Sequence, residues 1–147
     1  MSVVERLTRD MKTAMKEKDK FALTVIRMIR SELKYAEIDK GTPLDDDESF
    51  QILNKEVKKR RDSIEDYKKA DRPDDVEKLK KEIDIIQVYL PKQLTEEEIE
   101  TLVESTIEET GISLKKEMGK LMSAIMPKVQ GKADGKLVSQ IVSKKLN

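Results

Sequence analysis

The C-terminal end of the chain combines lysines with glycines, residue types that can together bind phosphate groups. Eight lysines and two acids lie between residues 113 and 147, a local balance of +6. The preceding stretch, residues 95–112, carries seven glutamates and no base. The chain has 30 basic and 30 acidic residues in total, so a neutral sequence has separated its charge along its length. A lysine-rich segment of this kind is typical of a surface that contacts a phosphate backbone.

A short loop at residues 131–135 lies among these lysines, between two predicted helices. The helix that follows this loop has free N–H groups at its start, which favour the binding of a phosphate. The neighbouring lysines would flank that phosphate. The alternative is that both glycines of the loop supply unusual backbone angles and that Asp134 only caps the helix. The candidate RNA-binding residues in this region are Lys120, Lys128, Lys132 and Lys136.

A second basic run lies in the middle of the chain. Its members, which complete the set of candidate RNA-binding residues, are Lys58, Lys59, Arg60 and Arg61. The run spans just over one helical turn, so its four side chains cannot share one face. Acids at i,i+4 spacing are expected to pair with part of it, as Glu56 with Arg60, Arg61 with Glu65 and Lys58 with Asp62. A solvated helix face and a phosphate-contacting patch both remain open.

The composition excludes most self-contained catalytic sites. The chain has no histidine and no cysteine, which removes serine–histidine and cysteine–histidine catalysis and the usual zinc sites. Charged residues make up 41% of the chain and aromatic residues 3%, so stacking platforms for single-stranded bases are nearly absent. If the chain binds a nucleic acid, this composition favours recognition of the shape and backbone of a structured RNA.

Two further clusters each allow two interpretations. The acids Asp45 to Glu48 could hold a hard cation, but their position at the start of a predicted helix favours capping. Met118, Met122 and Met126 recur at i,i+4 spacing. They form either part of a small core or an adaptable groove for a partner helix.

Apolar residues recur at helical spacing throughout, and no window alternates as a strand does. We therefore predict an all-α protein, with a bundle of about four helices at 1–93 and a three-helix module at 94–147. Asp19, Asp71, Thr95 and Asp134 are the predicted helix caps. Pro91 and Pro127 are expected to end the fourth and sixth helices.

Several motifs resemble the GatB/YqeY family over essentially the whole chain. They are residues 118–122, 125–129 and 131–135, with 23–28, 58–63, 67–72 and 89–94 upstream. The signature residues near the C-terminus are Gly119, Pro127, Gly131, Asp134 and Gly135. This family includes free-standing YqeY proteins and the tail domain of the B subunit of glutamine-dependent aspartyl/glutamyl-tRNA amidotransferase.

The resemblance implies an all-α fold and a role in holding tRNA, because the related tail helps to hold the tRNA while the chemistry occurs in other domains. We therefore expect a tRNA-binding accessory module that is not catalytic alone. One alternative is an amidotransferase-like protein that contributes to carbon–nitrogen ligase activity, with glutamine as amide donor, together with partner subunits. Another is a protein-interaction adaptor.

The remaining expectations concern partners and location. We expect tRNA as the partner, with amidotransferase subunits or an aminoacyl-tRNA synthetase as possible protein partners. We expect no cofactor, no metal and no membrane association, and a monomer. The absence of cysteine and of an N-terminal apolar segment fits a cytoplasmic protein.

Overall fold

A computed structural model describes residues 1–147 as seven α-helices and one turn of 3₁₀ helix, without any strand. The all-α prediction is confirmed. The helices are α1 (Val3–Lys16), α2 (Lys20–Lys40), α3 (Asp46–Lys69), α4 (Pro73–Gln87), α5 (Glu96–Thr110), α6 (Met118–Val129) and α7 (Gly135–Lys145), and the 3₁₀ turn is Lys115–Glu117. The chain divides into two compact units, Met1–Pro91 and Lys92–Asn147.

The first unit buries one apolar stripe from each of its four helices. Leu7 of α1, Ile29 and Leu33 of α2, Leu53 of α3 and Ile86 of α4 are almost fully inaccessible to solvent. Each lies on the periodic apolar face of its own helix, so the core follows from helical spacing. Charged side chains occupy most of the outer faces, which accounts for the high charge content of the chain.

The second unit has a separate core made by α5, α6 and α7. Ile99 and Val103 of α5 meet Leu121 and Ile125 of α6 and Val142 of α7 in a cluster that is almost fully buried. The C-terminal residues close this unit by pairing with the segment before α6. The N–H of Asn147 donates to the carbonyl of Ser113, and the N–H of Lys115 donates to the carbonyl of Asn147.

Side-chain caps begin most of the helices, as the sequence predicts. Asp19 accepts a hydrogen bond from the N–H of Ala22, and Asp134 caps α7. Thr95 and Glu98 form a capping box, which satisfies two N–H groups of α5 that have no partner within the helix. The acidic cluster at 45–48 also caps a helix, because Asp45 accepts the N–H of Glu48 at 2.8 Å.

The prediction that Asp71 caps α4 is wrong. Asp71 instead completes the end of α3 in the left-handed region, with φ of 53°. Its N–H donates to the carbonyl of Lys68, and the next N–H, that of Arg72, donates to the carbonyl of Tyr67. The N-cap of α4 is Arg72, which makes no side-chain cap, and Pro73 begins the helix as predicted.

The two predicted proline stops are also corrected. α4 ends at Gln87, before Pro91, in a short turn that leads to Tyr89 and Leu90. Pro127 lies inside α6, which continues to Val129. A proline this close to the end of a helix removes a single hydrogen bond, and burial of Val129 in the core of the second unit retains the last turn.

Candidate nucleic-acid interface

The loop between α6 and α7 is held by backbone contacts within the second unit. The carbonyl of Lys132 accepts the N–H of Leu94 at 2.8 Å, and the carbonyl of Gly131 accepts the side-chain amide of Gln93 at 2.8 Å. Gly131 has φ of 75°, a region that other residues rarely adopt. Gly135 has no such φ, so the interpretation that both loop glycines supply unusual angles holds only for Gly131.

Asp134 is the N-cap of α7, directly before the first helical residue, Gly135. The Asp134 carboxylate accepts the N–H of Lys136 at 3.3 Å. A carboxylate at this position occupies the place that a phosphate would take and adds a negative charge beside it. Asp134 therefore satisfies one N–H group at the start of α7, and its negative charge disfavours a phosphate there.

The four candidate lysines of this unit fall into two classes. Lys128 is neutralised, because its ammonium group contacts the hydroxyl of Thr106 at 3.2 Å and the carboxylate of Glu109 at 3.0 Å. Lys120, Lys132 and Lys136 are exposed and form no ion pair. These three side chains have no carboxylate partner within the chain.

Acidic residues of α5 lie beside two of the candidate lysines. A groove of about 540 Å³ runs along α5. Its lining residues are Leu94, Glu97, Glu98, Thr101, Leu102, Ser105, Lys128 and Lys132. Lys132 and the glutamates Glu97 and Glu98 are far apart in the sequence, but the fold places them in the same groove. The groove therefore carries both positive and negative charges. Lys120 and Lys136 line no part of it.

The basic run of α3 is also divided by its environment. Lys59 contacts Glu56 at 3.3 Å, whereas Lys58 and Arg61 form no ion pair. The predicted i,i+4 pairs of Lys58 with Asp62 and of Arg61 with Glu65 do not form. Ion pairs between long side chains near the surface contribute little free energy, so nothing strongly favours the formation of these two pairs.

Arg60 faces the interior of the first unit. Its guanidinium lies 2.9 Å from the carboxylate of Glu56, the predicted i,i+4 pair, and 3.6 Å from that of Glu82 on α4. All three side chains are largely buried, with 9%, 10% and 14% exposed for Arg60, Glu56 and Glu82. Arg60 therefore joins α3 to α4, and it does not present its charge to a ligand.

A second buried polar contact joins α1 to the segment after α4. The Tyr89 hydroxyl donates to the Asp10 carboxylate at 2.5 Å, and Arg6 lies over the Tyr89 ring and donates to the carbonyl of Val88. Burial raises the pKa of the Tyr89 hydroxyl, and the bond to Asp10 raises it further. Burial alone would raise the pKa of Asp10, but the bond from Tyr89 and the nearby Arg9 outweigh it and lower that pKa.

Sequence reasoning missed this contact between Tyr89 and Asp10. The two residues are 79 positions apart, and neither lies in a pattern that predicts a pair. The only signal is that Tyr89 belongs to one of the motifs that resemble the family. The contact has a structural role, since Tyr89 is buried and its hydroxyl joins α1 to the segment after α4.

The methionine series divides between core and surface. Met118 and Met122 are partly buried against the core of the second unit, and Met126 is 38% exposed.

Within the whole chain, no group of three or more acidic side chains has the arrangement of a metal site. None of the seven helices has both the length and the apolar character needed to cross a lipid bilayer.

Comparison with known proteins gives a family match over nearly the whole chain. The family described as "Yqey-like protein" matches residues 4–146. Among curated relatives, "Altered inheritance of mitochondria protein 41, mitochondrial" of Vanderwaltozyma polyspora is 41% identical over 101 residues, which cover 67% of this chain and 55% of that protein. The protein of the same name from Pyrenophora tritici-repentis is 36% identical over 104 residues, covering 69% and 58%.

The chain thus spans little more than half the length of these relatives, 55% and 58%. The protein of that name from Saccharomyces cerevisiae is 33% identical over 100 residues, which cover 67% of this chain. These names describe the relatives alone. Because the family match covers residues 4–146 and thus both structural units, the chain belongs to the family of YqeY-like proteins.

Proposed function

We propose that this chain is a tRNA-binding accessory module that is not catalytic alone. The observation that supports the proposal most is the state of the lysines in the second unit. Lys120, Lys132 and Lys136 are exposed and have no carboxylate partner, although α5 of the same unit carries seven glutamates. Exposed lysines that form no ion pair within the chain favour an external anion as their partner.

The proposed mode of recognition is contact with the RNA backbone and shape. Lysine side chains bind phosphates without reading sequence. The chain has three tyrosines and two phenylalanines, and none of them lies in the second unit. Stacking on single-stranded bases is therefore not available to that unit, which favours a structured RNA such as tRNA.

The first unit adds a weaker candidate surface on α3. Lys58 and Arg61 are the members of the basic run without an acidic partner, and Arg61 is exposed. Lys59 pairs with Glu56 and Arg60 is buried, so we leave these two out of the proposed contact. We propose further that the four-helix bundle at 1–93 and the three-helix module at 94–147 are separate domains.

Any catalysis would come from partners. The chain has no histidine or cysteine, and its strongest pKa shift belongs to Tyr89, which is buried in the first unit. We propose amidotransferase subunits or an aminoacyl-tRNA synthetase as the protein partners, with the chain itself a monomer that carries no cofactor. The fungal relatives are named as mitochondrial. For this chain we propose the cytoplasm.

Two matched double variants test the proposed surface. Lys120→Gln with Lys136→Gln removes two free charges. Lys128→Gln with Lys145→Gln removes two charges that Glu109 and Glu104 already neutralise. Both variants lose the same formal charge, so only the position differs. We expect the first to weaken tRNA binding by on the order of tenfold and to reduce the salt slope by about 2, because each lost phosphate contact lowers the slope by about 1.

The control variant should bind tRNA within about twofold of the original chain. Equal losses in the two variants would show that only net charge matters, and the proposed surface would then be wrong. Unchanged binding in the first variant would also reject this surface. Retention of the helical circular dichroism signal and of the melting temperature in both variants establishes that folding is not the cause.

A further inference from the structure

A polar pocket lies between α1 and α2 in the first unit, and none of the lysines discussed above lines it. It measures about 320 Å³, within the lower range of small-ligand sites. Its lining residues are Val4, Arg30, Ser31, Leu33, Lys34 and Glu37. Arg30, Lys34 and Glu37 follow one another at i, i+4 and i+7, so a single face of α2 supplies all three charged groups.

Arg30 lacks the carboxylate partner that a half-buried guanidinium usually has. The residue is half-buried, and no carboxylate lies within ion-pair distance. One terminal nitrogen contacts the sulfur of Met11 at 3.0 Å, and the Nε atom is buried without any hydrogen-bond partner. A charged donor removed from water without an acceptor is costly, which favours an anion supplied from outside.

Arg60 is the informative comparison in the same unit. Its Nε atom is also buried and unpartnered, but two carboxylates, those of Glu56 and Glu82, balance its charge. The missing Nε bond of Arg60 is therefore a local imperfection within a neutralised cluster. At Arg30 both the bond and the opposite charge are missing, and the side chain borders a cavity.

The other polar groups of the pocket restrict the kind of anion. Lys34 forms no ion pair and Ser31 adds a hydroxyl group, so one end can surround an anion with donors. Glu37, one turn further along α2, accepts the N–H of Leu44 through one carboxylate oxygen at 3.4 Å. Its carboxylate repels a free inorganic anion, but its second oxygen can accept a hydrogen bond from a ligand hydroxyl.

We propose that this pocket binds a phosphate ester that carries a hydroxyl group, as a ribose phosphate does. The phosphate contacts Arg30 and Lys34, since a guanidinium fork matches two phosphate oxygens. The sugar hydroxyl donates to Glu37. This chemistry occurs both in free ribose phosphates and at the ends of RNA strands. The proposal uses no residue of the second unit and stands apart from the proposed tRNA surface.

Backbone-amide NMR spectroscopy at constant ionic strength tests the proposal with three ligands: ribose 5-phosphate, inorganic phosphate and ribose. We expect saturable shifts at residues around Val4, Arg30, Ser31 and Lys34 with ribose 5-phosphate. Inorganic phosphate should bind several-fold more weakly, and ribose should cause no shift. A short RNA that ends in a phosphate, compared with the same RNA without it, shows whether strand ends also occupy the pocket.

Arg30→Gln is the decisive variant and Arg27→Gln is its matched control, since Arg27 is exposed on the same helix and does not line this pocket. We expect roughly 10- to 100-fold weaker binding for the first, the range for a lost hydrogen bond to a charged group, and no change for the second. If Arg30→Gln perturbs the fold, Lys34→Gln replaces it. Shifts that never saturate, lie elsewhere or survive both substitutions would overturn the proposal.

Glu37→Gln tests the hydroxyl contact separately. The neutral amide no longer repels an anion, so inorganic phosphate should bind more tightly and the preference for ribose 5-phosphate over inorganic phosphate should fall several-fold. An unchanged ratio of the two affinities would remove the sugar from the proposal. Tighter binding of both ligands by the same factor would also contradict the hydroxyl contact.

Discussion

Arg60 joins α3 to α4 through two carboxylates, those of Glu56 and Glu82. Removal of the central cation leaves two acids in a poorly solvated place without a partner. We expect Arg60→Gln to reduce the free energy of unfolding by about 3–5 kcal/mol, the usual cost of breaking a buried pair. Arg61→Gln, one position later and exposed, should change it by less than about 0.5 kcal/mol.

Urea denaturation followed by circular dichroism measures both variants. A loss below about 1 kcal/mol for Arg60→Gln would place it in the range of exposed pairs and contradict its structural role. The same two variants also test whether Arg60 has a structural role and Arg61 a role in RNA binding. Arg61→Gln is expected to affect RNA binding without affecting stability.

The contact between Tyr89 and Asp10 gives a prediction with a defined pH dependence. Tyr89→Phe removes a hydrogen bond to a charged group, so we expect a loss of about 1.5–3 kcal/mol near neutral pH. The folded pKa of Asp10 is lowered from 3.8. Its stabilising contribution is therefore present above the unfolded value and is lost as the pH falls through the folded one.

The Tyr89 hydroxyl predicts the opposite behaviour at high pH. Its pKa is raised from 10.0, so its contribution is complete below that value and decreases as the pH rises through the folded pKa. The stability difference between the original chain and Tyr89→Phe should thus be largest between these two limits and shrink towards both. A difference that is independent of pH would contradict the contact. Denaturation curves over the pH range measure it.

At the scale of the elements, two glycines of the family signature have different roles. Gly131 lies in the left-handed region with φ of 75°. Gly119 lies in α6 with ordinary helical geometry and open space where a Cβ would be. We expect Gly131→Ala to destabilise the second unit by about 1 kcal/mol and Gly119→Ala to leave it unchanged or stabilise it by up to about 1 kcal/mol.

Thermal unfolding distinguishes these two variants directly. Destabilisation by Gly119→Ala would mean that helix propensity does not determine the effect of this substitution on stability. Loss of tRNA binding in Gly119→Ala without loss of stability would assign the residue to the interface, where a close approach of RNA to the backbone requires a glycine. Stability and tRNA binding, measured together, thus distinguish a conformational role of Gly119 from a binding role.

The caps and core stripes could be predicted from the sequence because they depend on neighbours within about one turn. Thr95 with Glu98 and the stripe through Ile99 and Val103 are examples. The predictions failed where contacts between residues far apart in the sequence determine the structure. Pro127 does not end α6, because burial of Val129 keeps the last turn in place.

The candidate site shows the same limit. Lysine density predicts a basic segment, but it cannot show which charges the fold neutralises. Lys128 contacts Glu109 across two helices, 19 positions away, and the groove along α5 brings Lys132 beside Glu97 and Glu98. Arg60 was a candidate from its neighbours in sequence and became a core residue through Glu82 on another helix.

At the scale of the whole molecule, each of the two units has its own core. We expect a fragment of residues 92–147 to fold without the rest, because its three helices bury nine residues in one cluster. The fragment should unfold cooperatively and retain helical circular dichroism. Its small size places it near the limit for independent stability, so a modest melting temperature is expected. A fragment without cooperative unfolding would show that the second unit depends on the first.

This fragment also locates the proposed function. If the exposed lysines of the second unit carry the contact, the fragment should retain most of the tRNA affinity and the fragment 1–91 should retain little. The reverse result would assign the contact to Lys58 and Arg61. Comparable binding by both fragments would indicate that each unit contributes a surface.

The most direct test of the tRNA-binding proposal is a titration of labelled tRNA with the intact protein at about 50 and about 200 mM salt, with duplex DNA of equal length as the control. The proposal predicts saturable binding to tRNA that weakens steeply with salt and exceeds binding to DNA at both concentrations. No binding, or equally weak binding to tRNA and DNA, would contradict it and direct attention to protein partners.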